Sequence, residues 1–193
     1  MAKLKTTVGV TAGIFNEEGK LLLRRRVEHD SITGIDYSGC WELPVVAVQE
    51  TEAESISYNY LCQELVRGVK EEVGIEVSVD LMPAFYPVMF KGPQGYDLAM
   101  ITLVQKKDWK DVLPLRGEKI LVSVQELNDL AKEYIPAKKD KDGCIVEPGR
   151  GLLSGFGKRQ HCMALKAFEF ASPSHLNRKL AKSTLKEIQK GWK

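Results

Sequence analysis

Apolar positions recur with two different periods along the chain, and each period predicts a different kind of element. Residues 6–15 and 20–26 are rich in Val, Ile and Leu and flank a short polar turn, which predicts a hairpin of two strands. Residues 54–73 follow a helical period instead, with apolar side chains at every fourth position, Leu61, Leu65, Val69 and Val73. This spacing predicts a helix with one buried face.

The rest of the chain predicts more strands, followed by helices. Residues 75–106 alternate and are interrupted by Gly92, Pro93 and Gly95, which predicts two paired strands joined by a turn. The later elements are a strand at 120–124, a short helix at 125–134, a loop at 135–151 and two helices at 160–171 and 175–190. Strands before, around and after one central helix predict an α/β sandwich with a mixed sheet.

The last predicted helix is amphipathic and basic. Ser174 is its expected N-cap, and one face carries Leu176, Leu180, Thr184 and Ile188. Residues 158–193 hold nine Lys or Arg and two Glu, a local charge of +7, so residues 1–157 carry 19 minus 24, or −5. We therefore expect a main domain at 1–157 and a basic helical extension at 158–193 packed on it. The basic surface suits nucleic acid, a polyphosphate or an acidic partner, or is a solvated helix face.

Composition excludes several classes of protein. With 193 residues, 44% of them hydrophobic and 28% charged, we expect one globular domain. Pro83 and Pro87 interrupt an apolar stretch that is too short to span a bilayer, and the N-terminus has no continuous apolar core of a signal peptide. Four scattered cysteines without a CxxC pair predict reduced thiols in the cytoplasm.

The candidate chemistry lies in residues 67–75, RGVKEEVGI. On a helix of about 100° per residue, Glu64, Glu71 and Glu72 project within an arc of roughly 100°. Carboxylates together with phosphate oxygens suit Mg²⁺ or Mn²⁺, and such an ion polarises phosphorus and activates an attacking water. Without a cation these carboxylates would repel one another, and Arg67 is expected to offset part of that repulsion through Glu71 at i+4. The alternative is an ordinary solvent-facing acidic patch.

Residues 67–75 resemble the core of the Nudix box, G-x5-E-x7-R-E-U-x-E-E-x-G-U, where U is a bulky aliphatic residue. They match it except at Gly68, where the box has Glu. Upstream, Trp41-Glu42-Leu43-Pro44 is similar to the family's W-x-L-P, but Val45-Val46 follows where the family has two glycines. Glu52 fits the isolated Glu of the box, and fourteen residues instead of seven separate it from Arg67.

This resemblance implies a Nudix-like α/β/α sandwich with a mixed β-sheet and extra C-terminal helices. It also implies a hydrolase that cleaves the pyrophosphate linkage of a nucleoside diphosphate derivative with Mg²⁺ or Mn²⁺. The metal ligands would be Glu71 and Glu72, and Glu64 is our candidate to replace the ligand lost at Gly68. The remaining expected roles are catalytic for Glu71 and Glu118 and substrate-binding for Trp41 and Arg26.

Other interpretations of the sequence stay open. Gly68 and the Val45-Val46 pair also fit a catalytically impaired Nudix-fold module that binds nucleotide or a protein partner. The expected ligand is a nucleoside diphosphate-linked small molecule, with no membrane partner, and a homodimer is open. Nucleic acid is not expected, because the basic helices carry no interleaved aromatic motif. His29 and Asp30 either touch substrate or form a polar surface loop.

Overall fold

The computed structural model describes residues 5–26, 38–48, 57–74, 76, 86–92, 95–105, 118–152 and 155–190, and the structural statements below concern these residues. His29, Asp30, Glu52 and Ile75 lie outside them. The strands are β1 (Lys5–Phe15), β2 (Leu21–Arg25), β3 (Trp41–Glu42), β4 (Val45–Ala47), β5 (Tyr86–Gly92), β6 (Gly95–Gln105), β7 (Lys119–Val122), β8 (Lys138–Lys139) and β9 (Ile145–Glu147). The helices are α1 (Tyr58–Val73), α2 (Val124–Lys132), α3 (Gly155–Ala171) and α4 (His175–Lys190).

One mixed sheet organises the described part of the chain. Its strand order is β3-β2-β1-β6-β5, with β4 paired to β1 and β7 paired to β2. Strands β1 and β6 run parallel over their full length, whereas the other pairs in this sheet are antiparallel. The predicted hairpins β1–β2 and β5–β6 are therefore confirmed, and so is the mixed sheet.

Helices cover both faces of this sheet, and the alternation of strand side chains decides which helix each residue meets. Leu22 of β2 packs in the cluster that contains the apolar stripe of α1. Its neighbours Leu21 and Leu23 point the other way, into the cluster formed with α2, α3 and α4. In that second cluster the Phe15 and Phe168 rings meet edge to face, with centroids 5.2 Å apart. The predicted α/β/α sandwich is confirmed.

Helix α1 is held at both ends by local signals. Ser57 has an extended backbone and its side chain accepts a hydrogen bond from the Tyr60 amide, so the helix begins at Tyr58, four residues later than predicted. Gly74 ends it in the left-handed conformation, with φ of 71°, and its amide donates to the Lys70 carbonyl. A residue without Cβ adopts that conformation at little cost. The predicted apolar stripe is buried throughout, at Leu61, Leu65, Val69 and Val73.

The C-terminal part differs from the prediction in three places. The predicted loop at 135–151 contains the short antiparallel pair β8 and β9. Helix α3 begins at Gly155 rather than 160, so the expected domain boundary after residue 157 falls inside a helix. In α4, Ala181 and Leu185 are buried, whereas Leu176 is 72% exposed. The N-cap at Ser174 is confirmed, because its hydroxyl accepts a hydrogen bond from the Asn177 amide.

Two expectations from composition are also addressed by the structure. All four cysteines are free thiols; Cys40, Cys62 and Cys162 are buried, whereas Cys144 is exposed. None of the helices in the described part of the chain is long and apolar enough to cross a membrane.

Helix α2 begins with a capping box, which supports a prediction about stability. The Ser123 amide donates to Glu126 Oε2 at 2.7 Å, and the Glu126 amide donates to Ser123 Oγ at 3.3 Å. We expect Ser123→Ala to lower the free energy of unfolding by about 1 kcal/mol, because the helix loses its N-cap acceptor. Urea unfolding measures this, with the exposed Gln125→Ala as a control.

The same capping box makes the stability of the protein depend on pH. The hydrogen bond from the Ser123 backbone amide holds the pKa of the Glu126 carboxyl below its ordinary value. A depressed pKa stabilises the fold above the unfolded-state pKa of about 4.3, and this contribution is lost as pH falls through the folded pKa. The stability difference between the wild type and Glu126→Gln should therefore shrink between pH 6 and pH 3. An equal difference at both pH values would show that the carboxylate does not contribute through its charge.

Candidate functional site

The C-terminal end of α1 lies beside the end of β2, where a buried arginine contacts two carboxylates. Arg24 Nη2 lies 2.6 Å from Glu42 Oε1 and 3.0 Å from Glu72 Oε1. Arg24 is 8% exposed and Glu42 is 1% exposed. The Glu72 side chain is more accessible, at 19%. The guanidinium therefore joins the predicted metal ligand Glu72 to the W-x-L-P segment.

The strand pattern explains why Arg24 reaches this position. Arg24 follows Leu22 at i+2, so both side chains lie on the face of β2 that packs against α1. Arg24 is also paired with Glu42 in the β2–β3 register. The predicted substrate-binding residue Arg26, two residues after Arg24, contacts the same carboxylate, with Nη1 donating to Glu42 Oε2 at 3.1 Å. Glu42 is therefore held between two guanidinium groups.

A second arginine binds the other two predicted metal ligands. Arg67 Nε and Nη2 donate to the two oxygens of Glu64 at 3.2 and 2.9 Å, and Nη1 donates to Glu71 Oε2 at 2.7 Å. The predicted i+4 pair of Arg67 and Glu71 is confirmed. The Glu64 hydrogen bonds are the main reason that the pKa of the Arg67 guanidinium is raised. Glu64 is 7% exposed, whereas the Glu71 side chain is 60% exposed.

The three predicted metal ligands do not converge on one point. Glu64 directs both of its oxygens to Arg67, while Glu72 contacts Arg24. Gly68, where the Nudix box has Glu, is buried within α1. In the described ranges, no group of three or more His, Cys, Asp or Glu side chains could hold a metal ion. The arrangement is therefore a set of ion pairs, rather than a prebuilt site with three carboxylates.

Glu118, the second predicted catalytic residue, is paired on the other face of β2. Its Oε2 accepts a hydrogen bond from Arg25 Nη1 at 2.9 Å, and its side chain is 67% exposed. Arg25 alternates with Arg24 along the strand, so its side chain leaves the opposite face of the sheet. The structure therefore does not group Glu118 with Glu71 and Glu72.

Trp41 and the Val45-Val46 pair both belong to the framework of the site. Trp41 is half-buried and packs against the core cluster on the α3 side, and its amide donates to the Gly151 carbonyl at 2.9 Å. Val45 and Val46 are the first two residues of β4, where they pair antiparallel with Thr11 and Val10 of β1. The two β-branched residues thus extend the sheet where the family has two glycines after W-x-L-P, which agrees with their strand preference.

Sequence reasoning missed Arg24, although a signal for it was present. The alternation of Leu21, Leu22 and Leu23 assigns Leu22 to one face, and Arg24 continues that face. The alternation does not predict the partner of Arg24, because contact with Glu72 depends on how α1 lies across β2. Glu42 occupies the variable position of the W-x-L-P segment, and that pattern does not indicate a charge interaction there.

Comparisons with known proteins support the fold. No family model matches the chain, and no curated protein matches it. Among solved structures, it is similar to the MutT protein from Methanosarcina mazei Go1, with 24% identity, 67% of this chain and 85% of that chain covered, and a TM-score of 0.50.

Two further solved structures are similar at lower TM-scores. The Nudix domain of Shewanella oneidensis NrtR, complexed with ADP ribose, has 17% identity, 65% of this chain and 77% of that chain covered, and a TM-score of 0.47. MutT studied from Aliivibrio salmonicida and Vibrio cholerae has 24% identity, 65% of this chain and 86% of that chain covered, and a TM-score of 0.44. These two carry no argument about the fold, whereas the similarity to the Methanosarcina mazei Go1 protein, with the described sheet and helices, shows a Nudix-like fold.

Proposed function

From this Nudix-like fold, we propose that the protein is a hydrolase that cleaves the pyrophosphate linkage of a nucleoside diphosphate derivative. One observation carries the proposal. The adjacent carboxylates of Glu71 and Glu72 lie at the C-terminal end of α1, which Gly74 terminates, and the Arg24 guanidinium is next to Glu72. Carboxylates and a guanidinium at one place suit a phosphate group and its counter-ion.

The carboxylates present fit a divalent cation that is shared with the substrate. Mg²⁺ is usually bound by one or two protein carboxylates together with substrate phosphates. The Glu71 side chain is 60% exposed and the Glu72 side chain is 19% exposed, so these two residues can supply the protein carboxylates. Glu64 is a poor candidate ligand, because Arg67 binds both of its oxygens. When bound, Mg²⁺ or Mn²⁺ would supply Lewis-acid polarisation of the phosphorus.

The protein's own side chains would position the substrate and accept a proton. Glu71 presents an exposed carboxylate, which could take the proton of the attacking water while the new oxygen–phosphorus bond forms and the anhydride bond breaks. Arg67 holds that carboxylate through Nη1. Arg26 orients Glu42, and we assign it to substrate positioning. We propose Glu118 as an alternative base only for a water on the other face of β2, where Glu118 pairs with Arg25.

A second candidate function is nucleotide binding without turnover. It is favoured by the contact between Arg24 and Glu72, because a guanidinium already neutralises the carboxylate that a catalytic cation would need. Gly68 supports it too, since the Nudix box has a carboxylate at this position. In this case the protein would recognise the same class of nucleotide.

A screen for turnover tests the proposal. NDP-sugars, ADP-ribose, dinucleoside polyphosphates and nucleoside triphosphates are incubated with Mg²⁺ or Mn²⁺, and phosphate-containing products are measured. We expect turnover on at least one of them, and a loss on the order of 100-fold in Glu72→Gln. Glu76→Gln is the matched control, because Glu76 is exposed and pairs with Lys70. Absence of turnover with retained nucleotide binding would support the binding module instead.

Two further assignments belong to the same proposal. We place the protein in the cytoplasm, which its four free cysteines suit because thiols stay reduced there. We also keep a Nudix-like unit at 1–157 and a basic C-terminal extension at 158–193. Residues of α3 and α4 pack in the same core cluster as β2, which is compatible with an extension packed on that unit.

A further inference from the structure

We propose that Glu64 is a positioning residue for Glu71. The buried Glu64 carboxylate anchors the Arg67 guanidinium, and Arg67 holds the Glu71 carboxylate in the orientation that a shared cation requires. Glu64 therefore acts through Arg67 rather than as a metal ligand. This inference rests on the proposed function only in that Glu71 is a cation ligand.

The first argument is the way in which Arg67 distributes its donors. Nε and Nη2 donate to the two Glu64 oxygens at 3.2 and 2.9 Å, and Nη1 donates to Glu71 Oε2 at 2.7 Å. Each nitrogen of the guanidinium thus donates to one of these two carboxylates. Because the group is planar and rigid, the orientation that Glu64 gives to two of the nitrogens also sets the direction of the third, which contacts Glu71.

The second argument is the difference in exposure between the two carboxylates. The Glu64 side chain is 9% exposed, whereas that of Glu71 is 60% exposed. An exposed ion pair on a helix orders its side chains only weakly, because fixing two long side chains costs conformational entropy. The buried Glu64 is already restricted by its surroundings, so it can fix Arg67 at a smaller cost. The order at Glu71 therefore originates at Glu64.

The third argument is the glycine at position 68. Glu64 and Gly68 are an i,i+4 pair, so a side chain at position 68 would lie beside Glu64, one turn further along α1. A Glu at that position, as in the Nudix box, would repel the Glu64 carboxylate. Gly68, which is buried in α1, brings no such charge. Glu64 and Gly68 thus form a consistent pair of changes, in which one carboxylate is absent and another supports Glu71 through Arg67.

The affinity for ADP, measured by calorimetry with Mn²⁺ and again in EDTA, tests the proposal. We expect the gain in affinity from Mn²⁺ to be about tenfold smaller in Glu64→Gln than in the wild type, and the affinity in EDTA to be unchanged. Arg67→Lys should show the same loss, because an ammonium group lacks the planar fork that contacts both carboxylates. Glu76→Gln removes an exposed carboxylate that pairs with Lys70; it is the matched control and should keep the full gain. Circular dichroism establishes that each variant is folded.

The double variant separates positioning from direct metal binding. If Glu64 acts through Arg67, then adding Glu64→Gln to Arg67→Lys causes no further loss. A further loss would show that Glu64 is itself a ligand and would overturn the proposal. Equal losses of ADP affinity with Mn²⁺ and in EDTA would overturn it as well, because they indicate a purely structural role. If Glu64→Gln fails to fold, Arg67→Lys alone decides, since an unchanged gain from Mn²⁺ in that variant contradicts the proposal.

A crystal structure of nucleotide-free Glu64→Gln tests the anchoring without metal or turnover. The amide offers Arg67 one acceptor instead of two, so we expect Arg67 Nη1 to move away from Glu71 Oε2. A distance that stays near 2.7 Å would overturn the proposal. A wild type whose ADP affinity does not change with Mn²⁺ would instead contradict the metal-dependent function, and this structure would still decide whether Glu64 anchors Arg67.

Discussion

Arg24→Met is expected to lower the free energy of unfolding by about 3 kcal/mol. Glu42, which is 1% exposed, would lose the guanidinium 2.6 Å from its Oε1 and keep only Arg26 among the contacts described here. A buried carboxylate that loses a charged partner still has its desolvation cost. That cost is the reason that such substitutions lower the free energy of unfolding by a large amount. Urea unfolding at pH 7 measures the change.

The neighbouring residue provides the matched control for this substitution. Arg25 also pairs with a glutamate, but its side chain is 35% exposed and that of Glu118 is 67% exposed. Exposed ion pairs contribute little to stability, so Arg25→Met should lower the free energy of unfolding by no more than about 1 kcal/mol. If Arg24→Met costs no more than Arg25→Met, the buried charge cluster does not stabilise the protein as described.

Gly39→Ala is expected to be the second costly substitution, at about 2–6 kcal/mol, from backbone strain and overpacking together. Gly39 has φ of 90°, and a Cβ there would overlap the Gly149 carbonyl oxygen and lie 2.9 Å from the Gly149 amide nitrogen. The Gly39 amide also donates to the Arg26 carbonyl at 2.7 Å. The substitution would therefore disturb the chain directly before Trp41 and Glu42.

A comparison with Gly143 distinguishes backbone strain from steric overlap of the added Cβ. Gly143 has φ of 83°, but nothing lies within 4 Å of a Cβ added there. Gly143→Ala should cost only the left-handed backbone term, about 1–2 kcal/mol. Thermal unfolding of the two variants measures the difference. Equal losses would mean that the contact with Gly149 adds nothing to the strain at Gly39.

The sequence was informative where a signal is local. The four-residue spacing from Leu61 to Val73 reports burial of one helix face, and Gly74 reports the helix end, because both depend on neighbours along the same turn. The start of α1 was less clear, since helical periodicity alone does not show that Ser57 acts as the cap. The fold could be predicted because the hairpin, the central helix and the later strands each had such signals.

The charges of the site could not be predicted in this way. The helical arc shows that Glu64 projects toward the side of Glu71, but not that Arg67 would bind both Glu64 oxygens. Likewise, a position on β2 does not show that Arg24 reaches Glu72, because that contact joins elements that are distant in sequence. The predicted apolar face of α4 is also wrong, because packing against elements that are distant in sequence decides which side of the helix is buried. Ala181 and Leu185, one helical turn apart, are buried, and Leu176 stays exposed.

Arg24, like the Gly68 change in the Nudix box, affects the negative charge of the expected metal site. Gly68 removes one negative charge from the expected metal site, and Arg24 compensates another at Glu72. Both changes reduce the attraction of the ligand-free protein for a divalent cation. The proposed hydrolase would therefore need its substrate to complete the metal site.

The contact between Arg24 and Glu72 is tested most directly by a crystal structure of the nucleotide-free protein soaked in Mn²⁺, with the metal located by anomalous scattering. We predict no Mn²⁺ at Glu72 and a distance near 3.0 Å between Arg24 Nη2 and Glu72 Oε1. A Mn²⁺ ion bound to the Glu72 carboxylate, with Arg24 turned away, would contradict the account.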